Sequence, residues 1–181
     1  MIIDCQWLPE LVQRNPGETD NDYIKRLYKI FINDFITHKT YFSSLTVKIR
    51  YEPYIDGRVQ TFYHVITVGE SSESRVIDED RCLRVRWIKA FIENATCHKS
   101  SCAECSGVKL WSVPYHSYSR IMIFLEEENY LVVLERRPKY ILLITAYYVT
   151  YSHSLSKLRK QYEKAKSASG ETLSDTPSTL P

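Results

Sequence analysis

The pattern of hydrophobic and polar positions in the first half of the chain predicts two helices separated by two strands. Apolar residues recur at helical spacing over about residues 19–36, which predicts the first helix. Residues 45–51 alternate as a strand does, and residues 59–68 predict a second strand. A second strong helical pattern covers about residues 78–94, where an aspartate supplies the N-cap.

The second half of the chain changes to runs of strand-like residues joined by short polar turns. These runs are residues 108–113, 120–125, 130–134 and 140–149. Short turns favour antiparallel neighbours, and the last run is apolar on both faces, which predicts an inner strand. A buried helix is the alternative for this run, because periodicity alone does not separate the two. Residues 154–166 form a final amphipathic stretch rich in Lys and Arg.

This order of elements predicts an α+β fold. Helices near the N-terminus precede an antiparallel sheet of four or more strands, and a helix closes the domain. We expect one domain over residues 1–166. Residues 167–181 are rich in Ser, Thr, Pro and Gly and contain almost no core-forming side chains, which predicts a disordered tail.

Charge and composition exclude a polybasic architecture but leave room for a local basic site. The 181 residues include 24 Lys and Arg against 22 Asp and Glu, for a net charge of +2. The tail contributes Glu171 and Asp175 and no base, so residues 1–166 are more basic than the whole chain. Fourteen tyrosines favour sheet, and they offer rings that pack in a core or stack on a nucleobase.

The sequence predicts a cytoplasmic protein without a membrane segment. No apolar stretch approaches the roughly 18 residues that a membrane helix needs. Residues 1–5 lack the charged and apolar regions of a signal peptide. The five cysteines are an odd number, which favours reduced thiols over a disulfide framework.

Two arginines fall on the side of the second predicted helix that should pack inward. At about 100° per residue, Arg81 lies on the same face as Val85 and Ile88, and Arg84 lies beside them. Burying a guanidinium is costly unless an anion meets it. Two interpretations stay open: a structural salt bridge to an acidic side chain, and a pair that binds phosphate in a cleft.

His64 raises the same question within the second predicted strand. There it shares a face with Phe62 and Ile66. A histidine on such a face is often a hydrogen-bonded core residue. The alternative is a general acid or base in a cleft, where apolar walls hold an imidazole near neutrality.

Two further groups of residues are candidates for contact with a ligand. Thr145 and Tyr147 share one face of the last predicted strand, and a buried hydroxyl there needs a partner, which is commonly backbone. Arg136, Arg137 and Lys139 form a basic turn before that strand. Such a turn is usually just solvated, but it can also clamp a nucleic-acid backbone.

A cysteine cluster is the one pattern that points to a metal. Cys97, Cys102 and Cys105, with His98, give the spacing C-H-x3-C-x2-C, which suits a zinc knuckle. The usual second pair of ligands is missing from the sequence, so free cysteines in a loop are the other interpretation. Nucleotide-binding glycine motifs and a carboxylate cluster for catalytic metals are also missing. We therefore expect no cofactor and no catalytic metal.

Taken together, these motifs resemble phage- and prophage-associated members of the barnase/EndoU/colicin/RelE-like RNase superfamily. Residues 61–67 read T-F-Y-H-V-I-T. Residues 75–88 contain an arginine followed by D-x-x-R-x-x-R-h-x-W-h, where h is hydrophobic. Residues 130–147 lead into a Lys-rich helix, so that the resemblance covers roughly residues 20–166.

The resemblance implies a helix-plus-antiparallel-sheet core and RNA cleavage without a metal ion, in a toxin or an effector of phage conflict. It implies that His64 acts as acid or base, and that Thr145 and Tyr147 line the same site. It also implies that Arg75, Arg81 and Arg84 hold phosphate. The partners are then RNA and a neutralising antitoxin or phage protein.

Two other classes of function stay open at this point. One is a catalytically inactive module of the same fold that binds RNA or a protein. The other is a DNA-associated phage accessory protein with a zinc knuckle.

Overall fold

The structure, a computed structural model, describes residues 6–69, 74–98 and 105–168. Within these residues the helices are α1 (Asp20–Ile32), α2 (Gln60–Ile66), α3 (Glu79–Leu83), α4 (Trp87–Glu93) and α5 (Ser152–Ala168), and a π-helical turn (Asn33–Thr37) extends α1. The strands are β1 (Tyr41–Phe42), β2 (Leu45–Lys48), β3 (Thr67–Val68), β4 (Val76–Ile77), β5 (Lys109–Tyr115), β6 (Tyr118–Leu125), β7 (Tyr130–Arg136) and β8 (Ile141–Tyr148). The predicted α+β class is confirmed.

The larger sheet of the described residues has the strand order β1-β2-β8-β7-β6-β5. β5, β6, β7 and β8 pair antiparallel in chain order, as the short turns predict. β2 pairs parallel with β8, so β8 lies inside the sheet, and the predicted inner strand is confirmed. β3 and β4 form a separate two-stranded ribbon.

Alternating side chains of the central strands supply two hydrophobic cores, one on each face of the sheet. Ile121 and Ile123 of β6 and Val132 of β7 belong to the larger core, together with buried residues of α1, α2 and α4. Phe124 and Leu131 belong to the smaller core, which α5 covers. This period-two alternation explains why helices lie on both sides of the strands.

The C-terminal helix begins and ends close to where the sequence predicts. Tyr162 of α5 packs edge-on against Trp111 of β5, with ring centroids 5.7 Å apart. Arg159 of α5 and Lys109 of β5 both form ion pairs with Glu126. Residues 167 and 168 belong to α5, so the predicted tail does not begin at 167, and its remaining residues 169–181 lie outside the described part of the chain.

The strand predicted over residues 59–68 is wrong, because residues 60–66 are helical. The buried apolar side chains there are Val59, Phe62, Val65 and Ile66, which recur three and four residues apart as a helix requires. The β-branched and aromatic residues of this segment favour a strand locally, but packing of this helical face against Tyr28 and Phe31 decides the outcome.

The single helix predicted over residues 78–94 is also wrong, because it breaks into α3 and α4 at residues 84–86. Val85 and Trp87 are both fully buried, and two residues this close cannot share one face of a continuous helix. The break lets both side chains reach the core, where the Trp87 indole also donates to the carbonyl of Pro9 at 2.8 Å.

In the described residues, no helix is long and apolar enough to cross a membrane.

Candidate functional site

A cleft of about 540 Å³ opens where α3, the end of β8 and α5 meet. Asp78 and Arg81 lie on its α3 side, Tyr147 and Tyr148 on the β8 side, and Lys157 on the α5 side. We call it the α3–β8–α5 cleft. Its lining combines positive charge, aromatic rings and hydroxyl groups, which are the side chains that bind phosphate and stack on bases.

Arg81 supplies a guanidinium to this cleft that is not paired with a carboxylate. Its Nη1 donates to the backbone carbonyl of His64 at 3.2 Å, and its guanidinium carbon lies 5.2 Å from the centre of the Tyr147 ring. Among the described residues, no ion pair to its side chain is present. Burial lowers the pKa of Arg81 and the charge of Asp78 opposes this shift in part, so a bound anion would stabilise the guanidinium further.

His64 lies on the exposed side of α2, opposite the buried residues of that helix. The expectation that it belongs to an apolar face is therefore wrong. The protein around it still desolvates the ring enough to lower the pKa of His64, and the charges of Arg75, Arg81 and Arg50 lower this pKa further. The imidazole is consequently held in its neutral form, in which it can accept a proton.

Arg75 is tied to the backbone around the C-terminal end of α2. Its Nη2 donates to the carbonyl of Thr67 at 2.6 Å and to that of His64 at 3.3 Å. Its Nη1 donates to the carbonyl of Gly69 at 3.0 Å, and its Nε to the Thr67 hydroxyl at 2.8 Å. These four bonds occupy the guanidinium of Arg75 and hold the β3–β4 ribbon. Arg75 therefore influences the His64 imidazole mainly through its positive charge.

Arg84 makes the structural salt bridge that was one of the two interpretations of the helix arginines. Its Nη1 lies 2.8 Å from a carboxylate oxygen of Asp80. Its guanidinium also packs on the rings of Trp87, at 5.2 Å, and Tyr148, at 4.7 Å. The salt-bridge interpretation therefore applies to Arg84, which has a carboxylate partner, whereas Arg81 faces a cleft.

Thr145 and Tyr147 lie on the α5 side of the sheet because of an irregularity in β8. Val133 pairs with Thr145 but its neighbour Leu134 pairs with Leu143, so Ile144 is an extra residue, as in a β-bulge. Beyond this point the alternation reverses, and Tyr147 joins the core under α5 and lines the cleft. Burial raises the pKa of Tyr147, which keeps its phenol protonated near neutral pH, while the charge of Arg81 opposes this rise.

The structure does not bring the basic turn to the cleft. Arg136 ends β7, and Arg137 forms an ion pair with the buried carboxylate of Glu135. Lys139 is exposed within the turn. This turn lies at the start of β8 and Tyr147 lies near its end, about six residues or roughly 20 Å away.

Sequence reasoning missed three residues at this site. Arg50 follows β2 and adds positive charge near His64. Tyr148 and Lys157 line the cleft from β8 and α5. The Lys-rich pattern of α5 was the one available signal in the sequence. The effect of Arg50 on His64 depends instead on how β2 and α2 meet in the fold.

The cysteine cluster falls partly outside the described residues. Cys97 is half-buried and Cys105 is buried, whereas Cys102 is not among the described residues. In the part of the chain that the structure describes, no group of three or more His, Cys, Asp or Glu side chains is placed to hold a metal ion.

Comparisons with known proteins return no relative: no family model, no curated protein and no solved structure matches the chain.

The lowered pKa of His64 predicts how the stability of the protein varies with pH. The ordinary value is 6.5, and the folded value is lower, so the unfolded chain binds this proton more readily. The contribution of His64 is therefore complete above pH 6.5 and is lost as the pH falls toward the folded value. Thermal unfolding between pH 8 and 5 should show a steeper loss for the wild type than for His64→Gln. Equal slopes for the wild type and for His64→Gln would contradict the assignment.

Proposed function

We propose that this protein is an endoribonuclease that cleaves RNA without a metal ion, through attack of the 2′-hydroxyl on the adjacent phosphate. The observation that carries the proposal is the guanidinium of Arg81, which has no ion pair among the described residues, donates to the backbone carbonyl of His64 and lies over Tyr147 at an open cleft. These three residues supply a base, a cation for the phosphate and a protonated phenol. RNA brings its own nucleophile, so no covalent enzyme intermediate is needed.

In the proposed reaction, the neutral imidazole of His64 takes the proton of the 2′-hydroxyl. The 2′-oxygen then bonds to phosphorus, and the bond from phosphorus to the 5′-oxygen breaks. Tyr147 protonates this leaving oxygen, while Arg81 stabilises the charge on the non-bridging oxygens. The products are a 2′,3′-cyclic phosphate and a free 5′-hydroxyl.

The charge around His64 supports its role as a base. Arg50, Arg75 and Arg81 lower its pKa in the free protein. A phosphate bound between these arginines would offset part of their field, which raises the proton affinity of the imidazole when the substrate is in place. The residue is thus neutral before binding and becomes a stronger base after it.

The biological setting that we propose is a toxin-like or phage-conflict effector in the cytoplasm, held in check by a neutralising antitoxin or phage protein. Resemblance to the barnase/EndoU/colicin/RelE-like RNases motivates this part of the proposal. An enzyme that cleaves RNA at an open cleft would damage cellular RNA, which is the reason to expect a neutralising partner.

Incubation of the purified protein with total RNA tests the activity. We expect fragments with 2′,3′-cyclic phosphate ends, formed equally well with and without EDTA, and no cleavage of DNA of the same sequence. DNA lacks the 2′-hydroxyl and is therefore inert in this mechanism. Loss of cleavage in EDTA, or equal cleavage of DNA, would contradict the proposal.

A catalytically inactive RNA-binding module is the second candidate. The observation that favours it is the commitment of Arg75 to backbone carbonyls and of Arg84 to Asp80, which leaves Arg81 as the cleft arginine among those three. Tight binding of RNA in the same assay, with no cleavage under any condition, would identify this function instead.

A further inference from the structure

The tip of the β5–β6 hairpin carries two tyrosines, and an arginine guanidinium packs on the ring of each. The guanidinium carbon of Arg120 lies 4.0 Å from the centre of the Tyr115 ring, and that of Arg137 lies 3.8 Å from the centre of the Tyr118 ring. Distances this short mean that each guanidinium lies on the ring and restrains its orientation. We call Tyr115 and Tyr118 the tyrosine platform.

One buried carboxylate fixes both arginines. Glu135 of β7 is only 2% exposed, and its Oε2 lies 2.9 Å from Nε of Arg120. Its other oxygen forms an ion pair with Arg137. Two cations share one anion, so the cluster retains one net positive charge and both guanidinium groups are held at the same carboxylate.

The rings themselves remain open to solvent. Tyr115 is 45% exposed and Tyr118 is 39% exposed, although each ring is in contact with a guanidinium. Exposed aromatic rings that are already ordered lose little conformational entropy when a flat partner stacks on them. The platform is thus prepared for a planar ligand, and the exposed Arg136 and Lys139 lie in the neighbouring turn.

The platform lies on the same face of the sheet as Tyr147. Tyr115 pairs with Tyr118, and side chains directly opposite each other point to one face. Phe124, six residues after Tyr118 on the same strand, shares this face and lies in register with Leu131 and Tyr147. Platform and cleft therefore lie on the same face of the sheet, roughly 20 Å apart.

We propose that the tyrosine platform binds the bases of single-stranded RNA whose backbone continues into the α3–β8–α5 cleft. This inference rests on the proposed function for the class of its ligand. Stacking on tyrosine tolerates any base, and the residual positive charge attracts the backbone, which is how single strands are bound without sequence preference. Unpaired bases are required, because a duplex buries the faces that stack.

Fluorescence anisotropy with a labelled 12-nucleotide 2′-O-methyl RNA tests the proposal, because this probe lacks the attacking hydroxyl and stays intact. We expect the double variant Tyr115→Ala/Tyr118→Ala to bind about 10- to 100-fold more weakly than the wild type. The double variant to Phe keeps both rings and should bind within about twofold of the wild type, as should Tyr54→Ala, an exposed tyrosine elsewhere. Thermal unfolding of each variant verifies the fold.

Unchanged affinity of the double alanine variant for RNA would refute the proposal that the platform binds RNA. A protein partner would then be the occupant of this surface to test next. Equal losses in the alanine and phenylalanine variants would overturn stacking as its basis. A dinucleotide is too short to reach the platform from the cleft. Its cleavage by the wild type and by the double alanine variant at equal rates is therefore expected, and it tests the proposed function separately from the platform. If the wild-type protein cleaves no RNA but the double alanine variant still binds RNA more weakly, the proposed nuclease activity is refuted and the platform is supported.

Discussion

Replacing His64 with alanine is expected to lower the rate of RNA cleavage by about 10²–10⁴-fold, the usual effect of removing a general acid or base. The imidazole is the proposed acceptor of the 2′-hydroxyl proton, and its lowered pKa keeps it neutral and able to accept at pH 7. The measurement is kcat/KM on a defined oligoribonucleotide. Full activity in His64→Ala would sink the mechanism.

This variant is well suited to the question because it leaves the surrounding bonds in place. Arg75 and Arg81 both donate to the backbone carbonyl of His64, which alanine retains. The position is exposed and helical, and alanine has the highest helix propensity, so the fold is expected to be intact. His38→Ala removes another exposed imidazole and should leave the rate unchanged.

Replacing Arg81 and Arg84 separately with methionine is expected to give opposite results. Arg81→Met should lower kcat/KM by about 10²–10³-fold, comparable to the loss of one donor to a developing oxyanion. Its guanidinium lines the cleft beside Asp78 and forms no ion pair among the described residues, so its charge is available to the phosphate. Arg81→Lys keeps the charge but loses the planar fork, and a large remaining loss would indicate bidentate contact.

Arg84→Met is expected to change stability more than rate. Its guanidinium is paired with Asp80 and packs on the rings of Trp87 and Tyr148, and the loss of these ring contacts should cost roughly 1–2 kcal/mol. Thermal unfolding and kcat/KM, measured for both variants, separate the two roles. A larger loss of rate in Arg84→Met than in Arg81→Met would show that the roles have been assigned the wrong way round.

The comparison of these two arginines illustrates where helical periodicity stops being informative. The helical period predicts correctly that neither Arg81 nor Arg84 lies on the solvent-facing side of its segment. It does not predict which one meets a carboxylate, because that depends on the break at residues 84–86 and on the approach of β8. The break arises because Val85 and Trp87 are both buried in the same core.

The amino-acid sequence by itself determined the α+β class, the first helix, the antiparallel order of β5 to β8, the inner position of β8 and the final amphipathic helix. The two helices carry amphipathic patterns of helical period, whereas short turns and apolarity on both faces indicated the antiparallel order and the inner position of β8. Tertiary structure alone decided that residues 60–66 are helical, because β-branched residues prefer a strand until Phe62 packs on α1. It also decided the bulge that turns Tyr147 toward the cleft, and the sharing of Glu135 by two arginines. These features depend on contacts between residues distant in sequence, whose free energy no local pattern contains.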